Sequence, residues 1–64
     1  MTPDELRDWL DAAGLSQKGL GRLVEVNYRT ARRWCSGSQP IPPALAGRLR
    51  SATRDEIEDA MGDA

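Results

Sequence analysis

Apolar positions along this chain recur three and four residues apart and show no strand alternation. Leu6, Trp9, Leu10 and Ala13 fall at i, i+3, i+4 and i+7, the pattern of one buried helical face. Thr2-Pro3-Asp4-Glu5 ahead of them suits a capping box with proline at the first helical position. The acids of that turn complement the positive end of the helix dipole. Gly14 then supplies a residue tolerant of the left-handed backbone that closes helices. The pattern predicts a first helix over about 3–13.

Four more helices follow by the same signals. Ser16 caps a second, about 17–24, with Leu20, Leu23 and Val24 at helical spacing. Gly19 and Gly21 weaken it by about 1 kcal/mol each relative to alanine, so close approach of another backbone is expected there. Glu25-Val26 form a turn, and Asn27 caps a third helix, about 28–35. Its apolar stripe is thin, Ala31 and Trp34, and Ser36-Gly37 stops it. Residues 38–42 read as a loop. Pro43 opens a fourth helix, about 43–51, with Leu45 and Leu49 facing in. Thr53-Arg54-Asp55-Glu56 is a second capping box, starting a fifth helix over about 54–61 with Ile57, Ala60 and Met61 on one face. The last three residues are expected to fray. The fold class is all-α, a compact bundle of about five short helices.

Length and composition narrow the function. Sixty-four residues allow one domain, 1–64, and a chain this short removes only about 60% of its unfolded surface on folding. One cysteine excludes an internal disulfide, and the absence of histidine excludes Cys/His zinc sites and imidazole-assisted nucleophiles. No apolar run reaches the length of a membrane span and no leader peptide is evident, so a cytoplasmic protein is expected. No cofactor, metal or small-molecule ligand is expected either.

The formal net charge of −1 conceals a sorted distribution. Residues 1–15 carry Asp4, Glu5, Asp8 and Asp11 against Arg7, a net of −3. Residues 16–50 carry Lys18, Arg22, Arg29, Arg32, Arg33, Arg48 and Arg50 against Glu25, a net of +6. Residues 51–64 carry five acids against Arg54, a net of −4. A basic middle between acidic ends bears on polyanion partners more than the total does.

A short helix, a tight turn and a helix with a thin apolar stripe and a basic face form the pattern of a helix-turn-helix, about 17–36. The second helix must pack through a narrow face and keep its other face polar for the major groove. Gly21 stands where the two helices would cross.

On these residues the chain resembles the Cro/cI-like (XRE) DNA-binding domain of phage and bacterial repressors. The resemblance rests on Ser16-Gln17, Leu20-Gly21, Val24, Val26-Asn27, Thr30-Ala31, Arg33-Trp34 and Ser36-Gly37, and spans roughly Leu6 to Leu49. Two positions depart from the family: Glu25 stands where glycine is usual, and Cys35 where an acid is common. The resemblance implies a lambda-repressor-like fold and a small phage-type repressor or autoregulator, binding a pseudopalindromic double-stranded operator as a homodimer. It implies base contacts from Tyr28, Arg29 and Arg33, and a phosphate contact from Gln17 at the start of the second helix.

Side-chain chemistry agrees. Arginine gives bidentate bonds to guanine O6 and N7, and Arg29 and Arg33, four apart, share a helix face. Arg32 is expected to be turned partly aside, toward phosphate, and Lys18, Thr30, Ser38 and Gln39 are further phosphate candidates. Trp9 and Trp34 read as core, and Cys35 as a small, partly buried residue. Arg22, Arg48 and Arg50 suit either surface charge or pairing with the acidic ends. Ile57, Ala60 and Met61 are the candidate dimer surface, the alternative being packing onto the first helix. The competing function is a protein-interaction module on the same fold, antitoxin- or antirepressor-like. RNA binding fits less well, because aromatic platforms are lacking. An enzyme fits least, because no carboxylates read as a buried acid/base pair.

Overall fold

Five helices are present in the computed structural model, which describes residues 1–61: α1 (Pro3–Ala13), α2 (Gln17–Leu23), α3 (Tyr28–Ser36), α4 (Pro43–Arg50) and α5 (Arg54–Met61). The three residues expected to fray lie outside the described part. The starts follow from side chains. Thr2 accepts from the Glu5 amide while the Glu5 carboxylate accepts from the Thr2 amide, so both halves of the box are closed. Thr53 and Glu56 repeat it at α5. Ser16 accepts from the Gly19 amide and Asn27 from the Arg29 amide. α4 starts at Pro43 without a side-chain cap.

Three helix ends share one geometry. After α1, Gly14 has φ +71°, and the amides of Gly14 and Leu15 donate to the carbonyls of Asp11 and Leu10. After α3, Gly37 has φ +82°, and the amides of Gly37 and Ser38 donate to Trp34 and Arg33. After α2, the amides of Glu25 and Val26 donate to Arg22 and Gly21. Each is a Schellman closure, which requires a left-handed residue at its centre. At the third the left-handed residue is Glu25, with φ +58°. The turn therefore keeps its geometry without glycine, at a conformational cost to the glutamate.

The core is one cluster from all five helices. Leu6, Leu10, Leu15, Leu20, Leu23, Ala31, Trp34, Cys35, Leu45, Leu49, Ile57 and Ala60 are buried, with Trp9, Val24, Val26 and Met61 packed against them. Each fully buried leucine contributes about 1.5–3 kcal/mol relative to an exposed one. α2 sits centrally, packed on α3 and α5, and α1 packs on α3.

The glycines of α2 answer to different neighbours. A Cβ at Gly21 would lie 3.0 Å from the Val26 carbonyl oxygen and 3.5 Å from the Tyr28 backbone. This is the expected backbone approach, and it brings the first turn of α3 onto α2. A Cβ at Gly19 would lie 2.5 Å from the Leu15 side chain, so that glycine yields to a leucine rather than to a backbone.

The fifth helix requires a correction. Ile57 and Ala60 are buried and Met61 is half-buried in the core, so this face is not an open dimer surface. Nor does it chiefly pack on α1: α5 closes over α2. An apolar stripe looks the same in sequence whether it meets its own chain or a partner's.

Candidate nucleic-acid interface

α3 divides cleanly. Ala31, Trp34 and Cys35 are buried, while Tyr28, Arg29, Arg32, Arg33 and Ser36 are exposed. Its inner side is fixed at both ends. At the start, Asn27 caps it and Gly21 lets α2 approach. Toward its end, the Arg7 guanidinium donates to the Cys35 carbonyl at 3.2 Å, tying α1 to the last turn. Burial pushes the Cys35 thiol above its ordinary value, opposed by the Arg7 charge and the Gln17 side chain. The indole N–H of Trp34 is buried without a hydrogen-bond partner, an uncommon cost for a core residue.

Arg29, Arg32, Arg33, Ser36 and Ser38 together line an open hollow of about 420 Å³ on the outer side. Arg32 lines the same space as Arg29 and Arg33. Ser38, a phosphate candidate from sequence, joins them. Ser36, read only as a helix stop, is also there. Its position was legible: it lies seven residues after Arg29 and three after Arg33, on the same helical stripe. The other candidates stand outside the hollow. Tyr28 is exposed at the first turn of α3, and Thr30 is half-buried. Lys18 is exposed and Gln17 half-buried at the start of α2. Gln39 is half-buried, its amide donating to the Arg33 carbonyl at 3.3 Å.

Four other arginines are occupied. Asp4 pairs with Arg7, and Glu58 with Arg54 at 3.7 Å. Arg48 donates to the Glu56 carboxylate at 2.9 Å and to the Leu23 carbonyl at 3.1 Å, bridging α2, α4 and α5. Arg22 donates to the Ala60 carbonyl at 3.4 Å. For Arg22 and Arg48, then, the tertiary role prevails. Asp4, Glu56 and Glu58 engage these groups, and Glu5 and Glu56 close helix starts. The Thr53 amide, then Arg48, holds the Glu56 carboxyl below its ordinary value. The Thr2 amide and hydroxyl do the same for Glu5. Among the described residues, no acid pairs with Arg29, Arg32 or Arg33. Their positive charge is left facing solvent on one helix side.

No helix among the described residues is long and apolar enough to cross a membrane. Comparison with protein-family models, curated proteins and solved structures finds no match to this chain.

Proposed function

We propose that the chain is a sequence-specific double-stranded DNA-binding transcriptional regulator whose reading element is α3, the second helix of a helix-turn-helix formed with α2. The observation that carries the reading is the unpaired guanidinium cluster of Arg29, Arg32 and Arg33 on the outer side of a helix held firmly from within. A charged surface on a rigid element can dock in the major groove at little conformational cost. In this reading Arg29 and Arg33 reach base edges with Tyr28 beside them. Arg32, Ser38, Gln17, Lys18, Thr30 and Gln39 contact phosphates, which set register rather than sequence.

The regulator acts as a homodimer on a pseudopalindrome, with half-sites about 34 Å apart. One module of this size covers too few base pairs for useful selectivity alone. Because Ile57 and Ala60 belong to the monomer's core, the dimer contact lies elsewhere. Light scattering in the presence and absence of operator measures the stoichiometry.

The decisive experiment is binding to the DNA upstream of the protein's own gene and to a scrambled duplex at physiological salt. The expected result is clear preference for the former. Arg29→Ala is expected to cost about 1–3 kcal/mol and relax the preference, whereas loss of a phosphate contact lowers the salt slope by about one unit. Equal binding of both duplexes refutes the reading. Recovery of a protein partner and no DNA from the same assay conditions supports the interaction-module alternative.

A further inference from the structure

The hollow on α3 has the composition of an oxyanion site. Arg29, Arg32 and Arg33 line it, no acidic residue among the described residues does, and Ser36 and Ser38 line it toward the C-terminal end of α3. The Ser36 hydroxyl donates to the Arg33 carbonyl at 3.1 Å, so at its 2.9 Å contact with Ser38 it accepts. The Ser38 proton is then held only by a neutral hydroxyl, a weaker acceptor than any ionised oxygen. It can turn to an anion by rotation about one bond. The Ser38 and Gln39 amides are unavailable, since both donate to the Arg33 carbonyl. The donors on offer are therefore the three guanidinium forks and one hydroxyl.

That donor set selects its ligand. A cation is repelled. A carboxylate has two oxygens in one plane and satisfies one fork well. A phosphate directs oxygens tetrahedrally and can engage forks from different directions while a remaining oxygen accepts from Ser38. We propose that this hollow holds a single phosphate group, clamped by Arg32 and Ser38 with Arg29 and Arg33 on its flanks. The group is a backbone phosphate when α3 lies on a duplex and inorganic phosphate when it does not. The first half rests on the DNA reading; the second stands without it. Phosphate contact and base contact then share the same arginines, so free phosphate competes with DNA beyond its effect on ionic strength.

Titration of the folded protein with inorganic phosphate against chloride, at constant ionic strength, is followed by NMR of the arginine Nε–H and backbone amide signals. Saturable phosphate shifts confined to residues 29–38 are expected. Arg32→Ala should weaken them about fivefold, the scale of one exposed charge contact. Arg50→Ala, on exposed α4 surface outside the hollow, should leave them unchanged. Shifts no larger than those from chloride, or spread equally to Arg48, Arg50 and Arg54, overturn the site. Equal weakening by Arg50→Ala overturns it as well. The same titration with a duplex separates the two readings. Phosphate binding without duplex binding keeps the hollow and removes the DNA function. Duplex binding without a phosphate response does the reverse.

Discussion

Replacing Glu25 with glycine should stabilise the protein. Glu25 is the one non-glycine residue with positive φ among the described residues, at +58°. Its turn keeps both closing bonds, from the Glu25 amide to Arg22 at 3.3 Å and from the Val26 amide to Gly21 at 2.8 Å. The left-handed conformation costs an L-residue about 1–2 kcal/mol. Glycine removes that cost, while its greater freedom in the unfolded chain takes back about 0.5–1 kcal/mol. The net gain is about 0.5–1 kcal/mol. The charge contributes little to the balance, because Glu25 borders a cleft shared by Arg22, Arg48, Glu56 and Asp59, in which cations and acids are matched. For a domain of this length the gain raises Tm by about 2–8 °C. Urea and thermal unfolding followed by circular dichroism measure it. Glu25→Ala is the control: it removes the same charge and keeps the strain, so its Tm should stay at or below that of the wild type. A glycine variant no more stable than the alanine variant would refute the assignment of strain to this residue.

Other substitutions test the packing and the titrating groups. Gly21→Ala should destabilise by about 1–2 kcal/mol in denaturant unfolding, because its Cβ meets the Val26 carbonyl at 3.0 Å and overpacking outweighs the helix propensity gained. Gly47→Ala, mid-helix in α4 with nothing within 4 Å of the added atom, should go the other way, by about 0.5–1 kcal/mol. The Cys35 thiol, buried and raised in pKa, should react with a disulfide reagent at pH 8 only as fast as the chain opens. Immediate stoichiometric labelling of native protein would contradict its burial. Glu5 and Glu56 have folded-state pKa values below their ordinary 4.5, so their stabilisation is present above that pH and is lost as pH falls through the lowered values. Glu56→Gln should flatten this acid dependence; an unchanged pH profile would remove Glu56 from it.

The helices were legible because their boundaries are written in local chemistry. Thr2, Ser16, Asn27 and Thr53 cap by reaching an amide two or three residues on, and Gly14 and Gly37 end helices through their own backbone freedom. The turn after α2 was recognisable from spacing and Glu25 stood out as an unusual residue in it, but its left-handed backbone was not legible, because glutamate has no local preference for that conformation. Tertiary bonds were equally hidden. Arg7 reaches a carbonyl 28 residues away and Arg48 one 25 residues away, and no local pattern encodes such distances. At the candidate site the residue types on α3 were readable from helical phase. That Arg32 shares one hollow with Arg29 and Arg33 depends on side-chain placement. That Ile57 and Ala60 face inward depends on what α2 leaves uncovered.

The split character of α3 bears on how such a protein can change over generations. Ala31, Trp34 and Cys35 hold the helix in place, while the side chains of Arg29, Arg32 and Arg33 make no hydrogen bond or ion pair with the rest of the fold that their replacement would break. Exchanges at positions such as 29, 32 and 33 are thus expected to fall within about 0.5 kcal/mol of neutral for folding. A lineage can exchange residues there without passing through forms that fail to fold. Robustness resides on one side of a nine-residue helix and novelty on the other.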